Sequence, residues 1–340
     1  MSSKNFLVLL IPIIALIFFL STLLNNEDIE ITSFEGEIMG TTYNVIINTH
    51  SSNHLESHIS EILGSFNSSM STYIDNSLIS KINKSEINEW IYVNDDFIEI
   101  IEYATELCIK TDGIYDVTIG KLVNKWGFGP DQIQQKPTEA QLLGLTKQVG
   151  CNSIEINDDK NSVRRVKDIA LDFSSIAKGF AIDRVYLFLS QEKKLDNFFI
   201  ELGGEIRTTR LKNKNEPWKL GIVSPIDPTK LIYTLYSDKY EIFAMATSGN
   251  YMNVRVFDDL MLSHTIDTGT GIPNALERKS VSVIANNAMK ADALATALNA
   301  MKFETAVKYA NDNKIKALFV NEDIGKAKLV FSNELQKVKI

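Results

Sequence analysis

The chain has 340 residues, a formal net charge of −8 and a composition that is 44% hydrophobic and 23% charged. A chain of this length buries a large core and folds as one large domain or two modest ones. The acidic balance and the lack of a run of Lys or Arg argue against a nucleic-acid partner, because neutralising phosphates requires clustered cations.

The N-terminal segment is the most apolar part of the chain. Residues 6–24 carry no charge, and at about 1.5 Å per residue they are long enough to cross a hydrocarbon core of roughly 30 Å. Lys4 precedes the segment, and Glu27 and Asp28 follow it, which favours an orientation with the N-terminus inside. No small-residue cleavage site and no lipid-attachment cysteine follows. We therefore predict an uncleaved single-pass anchor in the cytoplasmic membrane, with a cleaved signal peptide as the alternative.

Beyond this segment, the pattern indicates a mixed α/β body on the extracytoplasmic side of the membrane. The stretch GEIMGTTYNVIIN predicts a strand interrupted by a glycine turn. Periodicity predicts helices at residues 54–71, 95–111, 136–150, 175–189, around 291–298 and at 303–313. It predicts strands at residues 163–173, 197–202, 218–223, 232–236, 242–247, 261–266 and 280–284, and two more at the C-terminus.

The chain shows no repeat and no low-complexity linker that would divide this body. We interpret residues 1–24 as the anchor or signal segment, 25–33 as a tether and 34–340 as one catalytic domain. The two cysteines, Cys108 and Cys151, form neither a metal-binding pattern nor a disulfide framework. A single disulfide is open if the chain is exported, but we expect two buried thiols.

One predicted helix, ADALATALNAM, carries a carboxylate and a hydroxyl among small apolar residues. Asp292 and Thr296 are four positions apart, so they project from the same helical face. Burying a carboxylate without a partner is costly. A basic residue, a helix N-terminus or a metal ion is therefore expected beside Asp292.

Six further stretches concentrate glycines and polar side chains. They are GEIMGTTY (36–43), STYIDNSLISKIN (71–83), DGIYDVTIGKLVNKWGFGP (112–130), LDFSSIAKGFAID (171–183), ELGGEIR (201–207), and TSGNY with SHTIDTGTG (247–251 and 263–271). Singly, each has a plain structural explanation, such as a turn, a helix cap or a surface ion pair. Together with the ADALATAL helix, their order and spacing resemble the ApbE family, the FAD:protein FMN transferases, from about Gly36 to Met301.

The resemblance implies a mixed α+β, T-fold-like body with FAD bound in a central cleft. It implies Mg²⁺-dependent transfer of the FMN part of FAD to a Thr or Ser hydroxyl of a target protein, with release of AMP. The acceptor is then expected to be a subunit of a membrane electron-transfer complex. Two alternatives stay open. One is a Mg²⁺-dependent pyrophosphatase that splits FAD into FMN and AMP, and the other is a non-catalytic, extracytoplasmic flavin-binding protein.

The resemblance also implies ligands at individual positions. Asp292, Thr296 and the backbone carbonyl of Ser175 are the expected Mg²⁺ ligands, and hard oxygen atoms suit this ion. The FAD contacts are expected at Met39, Tyr73, Ile114, Tyr115, Asp116, Asp172, Lys178, Thr247, Ser248, Gly249 and Ile266.

Three residues are candidates for the chemistry. Lys178 is expected to meet the pyrophosphate, early in a helix whose free N–H groups assist. His264 is expected to help remove the proton of the acceptor hydroxyl or to stabilise charge at the phosphates, with Asp267 as the alternative. The chain departs from the family pattern at Thr268, where proline is usual, and at Ser174 and Ser175, where an Asp-Gly or Gly-Gly pair is frequent. Neither departure removes an expected side-chain ligand.

Overall fold

The computed structural model describes residues 30–49, 54–131, 133, 135–250, 253–257, 260–275, 279–323 and 325–338. The strands are β1 (Glu30–Ile38), β2 (Thr41–Thr49), β3 (Ile91–Tyr92), β4 (Ile154–Asn157), β5 (Ser162–Arg165), β6 (Phe198–Leu202), β7 (Glu205–Thr208), β8 (Lys219–Val223), β9 (Leu231–Tyr236), β10 (Phe243–Gly249), β11 (Val254–Phe257), β12 (Leu260–Ile266), β13 (Pro273–Ala275), β14 (Ser280–Ala285), β15 (Lys316–Asp323) and β16 (Lys326–Phe331). The α-helices are α1 (Leu55–Met70), α2 (Leu78–Lys84), α3 (Asp95–Lys110), α4 (Gly120–Lys125), α5 (Glu139–Thr146), α6 (Ala177–Leu187), α7 (Ala288–Ala300), α8 (Phe303–Asp312) and α9 (Asn333–Gln336).

The largest sheet has eight strands in the order β1-β2-β6-β7-β10-β14-β15-β16, and neighbouring strands are antiparallel. Smaller sheets are β3-β5-β4, β11-β12-β13 and β8-β9. Met39 and Gly40 connect β1 to β2 with φ angles of 53° and 73°. A two-residue hairpin turn of this type requires positive φ at both positions, so the predicted glycine turn is confirmed.

The two faces of the large sheet are covered differently. Side chains alternate between the faces, so Val45 and Ala246 pack toward the helices, among them α1, α6 and α7. Met245 and Leu318 point to the other face, where they pack with Leu220 of the β8–β9 hairpin. The helical layer carries Lys178, Asp292 and Thr296.

Most predicted elements are confirmed, but two are wrong in extent. The strand predicted at 163–173 covers only β5, because the chain leaves the sheet after Arg165. The helix predicted at 136–150 is only α5, since Thr138 and Gln141 form a capping box that starts it at Glu139. Helices α2, α4 and α9 and strands β3, β4, β7, β11 and β13 were not predicted.

Residues 25–29 of the predicted tether lie outside the described residues, whereas residues 30–33 belong to a strand. Strand β1 begins at Glu30, and residues 30–33 pair with β2. The apolar segment 6–24 lies outside the described residues. Within the part of the chain that is described, no helix combines the length and apolar character needed to cross a membrane.

Cys108 and Cys151 form a disulfide, so the expectation of two buried thiols is wrong. Cys108 lies near the end of α3, and Cys151 lies in the loop between α5 and β4. The fold brings their Cα atoms to 5.6 Å, within the range that a disulfide needs. The bond joins the helix that leads into the 112–116 turn to the loop that follows α5.

Helices α6 and α7 are in direct backbone contact. A Cβ atom on Gly179 would lie 2.2 Å from the carbonyl oxygen of Ala288 and 2.9 Å from the Cβ of Asp292, so only glycine fits. One turn later on α6, the Asp183 carboxylate accepts the N–H groups of Ala288 and Met289, both at 2.9 Å. Asp183 thus satisfies free N–H groups at the start of α7 and locks it to α6.

We expect Gly179→Ala to separate α6 from α7 and to lower the free energy of unfolding by about 1–3 kcal/mol, the usual cost of overpacking. Denaturant unfolding measures this change. Gly64→Ala in α1 is the control, because a Cβ there meets nothing within 4 Å, and alanine should stabilise the helix by about 0.5–1 kcal/mol. Equal stability of the two variants would contradict the close contact.

Candidate active site

Three charged side chains, two of them buried and the third partly buried, form a cluster where α6, α7 and β7 meet. The Nζ of Lys178 lies 3.2 Å from Glu205 Oε1 and 4.0 Å from Asp292 Oδ2. Glu205 and Asp292 are each only 4% exposed. When ionised, the three groups carry one positive and two negative charges, so the cluster has an excess of one negative charge. A basic residue does lie beside Asp292, as the sequence led us to expect.

Burial opposes the charged form of each group in this cluster. It raises the pKa of Asp292 and of Glu205, while the Lys178 ammonium acts in the opposite direction. For Lys178, burial alone would lower the pKa, but the carboxylates of Asp292 and Glu205 outweigh it and raise the pKa. Lys178 therefore stays protonated and supplies a fixed positive charge.

The residues expected to bind a metal lie around Asp292. Thr296 follows one turn later on α7. The N–H of Gly179 donates to Asp292 Oδ2 at 3.1 Å, rather than to the Ser175 carbonyl as in a regular helix. No group of three or more His, Cys, Asp or Glu side chains suited to a metal occurs among the described residues. A cation here would depend on carbonyl, hydroxyl, water and substrate oxygens, which is how Mg²⁺ is commonly held.

The turn at residues 112–116 lies against the segment that precedes α6. The Oγ of Ser175 donates to the hydroxyl of buried Tyr115 at 3.1 Å, and burial raises the pKa of that phenol. Asp116 Oδ1 accepts the N–H of Thr118 at 2.7 Å, whereas its buried Oδ2 has no hydrogen-bond partner among the described residues. Burial also raises the pKa of Asp116. Asp116 thus keeps one acceptor available for a ligand, while Ile114 packs against the α7–α8 side of the core.

His264 lies in β12 within electrostatic range of Asp172 and Lys178. Burial lowers its pKa and Lys178 lowers it further, while a hydrogen bond to the backbone of Asn253 and the charge of Asp172 act in the opposite direction. Its Nδ1 is buried and has no hydrogen-bond partner within the described ranges. A neutral imidazole with an unpaired nitrogen is suited to accept a proton.

A buried hydrogen-bond cluster joins three of the elements that carry site residues. The Oδ1 of Asn250 accepts from Thr265 Oγ1 at 3.0 Å and from Asn299 Nδ2 at 2.6 Å. Asn250 follows β10, Thr265 is the neighbour of His264 in β12, and Asn299 lies two turns after Asp292 in α7. One amide oxygen therefore holds these elements in register.

Asp267 serves the geometry of its own loop. Its Oδ1 accepts the N–H groups of Gly269 and Thr270, at 3.0 and 2.8 Å, and the Thr270 hydroxyl at 3.1 Å. Next to it, the Thr268 hydroxyl donates to the carbonyl of Gly113 at 2.6 Å. The residue that replaces the usual proline thus ties the 263–271 loop to the 112–116 turn.

The remaining expected flavin contacts differ in exposure. Tyr73 is 68% exposed, and its hydroxyl donates to the Phe128 carbonyl at 3.1 Å, which holds an aromatic face open to solvent. Met39 is half-buried in the β1–β2 turn, and Ile266 is buried against the hydrophobic cluster that contains Trp126. Asp172 accepts the N–H of Ser174 at 2.8 Å.

Thr247, Ser248 and Gly249, which are expected to contact FAD, form the end of strand β10. The Thr247 hydroxyl lies 2.8 Å from Ser282 Oγ on β14. By strand alternation, Thr247 shares a face with Met245, opposite the helices, whereas Ser248 faces the helical layer with Ala246. The structure therefore does not bring the Thr247 side chain to the Asp292 cluster. Gly249 pairs with Ser280 in the sheet.

A family model described as the ApbE family matches residues 39–319. The chain belongs to the ApbE family. An FAD:protein FMN transferase of Vibrio cholerae is 34% identical over 291 residues, which cover 84% of this chain and 86% of the relative. One from Haemophilus influenzae is 32% identical over 326 residues, covering 92% and 93%. A solved flavin transferase ApbE from V. cholerae, in which one histidine is mutated to glycine, matches with a TM-score of 0.81 and 31% identity over 91% of this chain and 99% of that chain.

The fold of this ApbE-family chain also reveals residues whose roles were not predicted. Glu205 is part of ELGGEIR, but no role was predicted for its carboxylate. Asp183 ends LDFSSIAKGFAID and lies four positions after Gly179, on the same face of α6. This spacing could have indicated the contact, since a glycine and an aspartate on one face of a helix are typical of close packing against a neighbouring element.

We expect His264 to titrate below its ordinary pKa of about 6.5 in the metal-free protein. The unfolded chain then binds more protons than the native chain at acidic pH. The free energy of unfolding is therefore unaffected by this residue above about pH 6.5 and decreases as the pH falls toward the native pKa. NMR of the ring measures the pKa. Unfolding of the wild type and His264→Gln across this pH window measures the linkage. A native pKa above the ordinary value would contradict the burial.

Proposed function

We propose that the chain is an FAD:protein FMN transferase, the activity that names its curated relatives. The observation that carries this proposal is the buried Asp292 carboxylate, which meets the N-terminal turn of α6 with Lys178 beside it. The helix N-terminus and the ammonium suit a phosphate, and the carboxylate suits a divalent cation bound beside it. The FAD pyrophosphate would lie at this point, beside the N-terminal turn of α6.

In the proposed reaction, a Thr or Ser oxygen of the acceptor protein attacks the phosphorus of the FMN half. A new P–O bond forms, the bond from that phosphorus to the bridging oxygen breaks, and AMP leaves with this oxygen. The Lys178 ammonium and the free N–H groups of α6 neutralise the developing charge. We assign the hydroxyl proton to the unpaired Nδ1 of His264. Asp267 is the weaker candidate, because one of its oxygens already accepts three hydrogen bonds.

We also propose that the reaction requires Mg²⁺, held by Asp292, Thr296 and the Ser175 carbonyl. The two carboxylates beside a single ammonium support this assignment, as does the Ser175 carbonyl, which does not accept the N–H of Gly179. When bound, the ion would neutralise pyrophosphate charge and stabilise the leaving group.

The activity is tested with FAD, Mg²⁺ and a protein that bears an acceptor threonine, read out by in-gel flavin fluorescence and intact mass. We expect a mass gain equal to FMN, with the rate lowered by about 100-fold or more in Asp292→Ala, as for loss of a metal ligand. Asp312→Ala is the control, because this carboxylate forms only a surface ion pair with Lys308.

The other products separate the alternatives. AMP and free FMN without labelled protein would indicate a pyrophosphatase, and bound but unreacted FAD would indicate a flavin carrier. Equal labelling by wild type and Asp292→Ala would contradict the metal role.

We further propose that residues 6–24 anchor the protein, with the catalytic domain on the extracytoplasmic side and a membrane electron-transfer subunit as acceptor. The Cys108–Cys151 disulfide supports this location, because disulfides persist in oxidising compartments and are rare in the cytoplasm. The charges on either side of the segment favour the same orientation.

We expect the full-length chain to fractionate with membranes and to be cleaved by protease added from the periplasmic side. Non-reducing peptide mass spectrometry should find Cys108 linked to Cys151, and the intact mass shows whether the N-terminal segment is retained. A variant lacking residues 2–24 is the control, and its thiols should react with an alkylating reagent. Reactive thiols in the full-length protein would contradict export.

A further inference from the structure

Glu205 is a buried carboxylate to which the proposed reaction assigns no role. It begins β7 directly after the Gly203–Gly204 turn, and the residue is 4% exposed. Its Oε1 lies 3.2 Å from Lys178 Nζ, while its Oε2 has no hydrogen-bond partner in the described part of the chain. Burying such a group is expensive, so its position calls for a function.

The path of the Lys178 side chain explains why it meets Glu205 first. The aliphatic stem passes over Gly203, where a Cβ atom would lie 3.3 Å from Lys178 Cδ. The ammonium then lies at 3.2 Å from Glu205 but at 4.0 Å from Asp292. The first distance allows direct contact, whereas the second exceeds a hydrogen bond. Lys178 is therefore paired with Glu205 and only near Asp292.

We propose that Glu205 is a positioning residue that holds the Lys178 ammonium off Asp292 and so keeps the Asp292 oxygens available to a divalent cation. A partly buried ammonium between two buried carboxylates pairs with one of them. Without the Glu205 carboxylate, the nearest negative charge is Asp292, and a direct ion pair there competes with the cation for the same oxygens. This inference rests on the proposed role of Asp292 as a cation ligand.

The test measures binding of Mn²⁺ alone to the full chain in detergent, without FAD, by calorimetry or by electron paramagnetic resonance of the free ion. We expect Glu205→Gln to weaken binding by about fivefold or more, since the Lys178 ammonium then meets a neutral amide oxygen in place of a carboxylate and is held less strongly. Glu205→Met removes the acceptor as well and should weaken binding further. Glu201→Gln is the matched control on the other strand of the same hairpin, because an amide oxygen still accepts the N–H of Gly204.

Loss of a nearby negative charge would by itself weaken cation binding, so a second pair of proteins separates the two explanations. Lys178→Met is compared with the double variant Lys178→Met/Glu205→Gln. If Glu205 acts through Lys178, the two proteins bind Mn²⁺ equally to within about twofold, because the competitor is gone. If Glu205 acts through its own charge, the substitution weakens binding by the same factor in both backgrounds, and the inference fails. Thermal unfolding of each variant confirms that it is folded.

The outcomes also separate this inference from the proposed function. One outcome is that folded Glu205→Gln and Glu205→Met bind Mn²⁺ as tightly as the wild type while Asp292→Ala loses binding. This outcome refutes the role of Glu205 but not the metal role of Asp292. Equal binding by wild type and Asp292→Ala refutes the metal role of Asp292 and with it the role of Glu205.

Discussion

The close approach of α6 and α7 at Gly179 is the constraint on which the site depends. Because no Cβ intervenes, the backbone of α6 reaches Ala288, and the Gly179 N–H reaches the Asp292 carboxylate. Asp183 holds the same two helices together by accepting the first N–H groups of α7. Packing, capping and the orientation of the key carboxylate are thus set by one interface, and a shift of α7 would displace Asp292 and Thr296 together.

The charges at this interface explain how a site for phosphate and metal tolerates burial. Two carboxylates and one ammonium lie in a region of low dielectric, where an unpaired charge is costly and a pair must be well placed. When both carboxylates are ionised, Lys178 compensates only one of the two negative charges, which leaves one for a cation to neutralise. The charges of Lys178, Glu205 and Asp292 are therefore arranged so that a bound cation and pyrophosphate would balance them.

Contacts between distant loops place the remaining candidates around this centre. Thr268 donates a hydrogen bond to Gly113, and Ser175 donates one to Tyr115. The 263–271 loop, the 112–116 turn and the segment that precedes α6 are therefore in contact, although they are far apart in the chain. The Cys108–Cys151 disulfide fixes the end of α3, which leads into the 112–116 turn. Asn250 joins β10, β12 and α7 through one amide oxygen, so the strand that carries His264 is tied to the helix that carries Asp292.

The sequence by itself determined the local features: the helical face shared by Asp292 and Thr296, the glycine turn after Met39, most of the helices, and the family resemblance carried by the ordered motifs. Tertiary structure decided which elements meet. The pairing of Cys108 with Cys151, the contact of Glu205 with Lys178 and the face on which Thr247 lies all depend on non-local packing. Local periodicity specifies which residues share a face of one helix or strand, but the partner of that face is chosen by the burial of the whole chain.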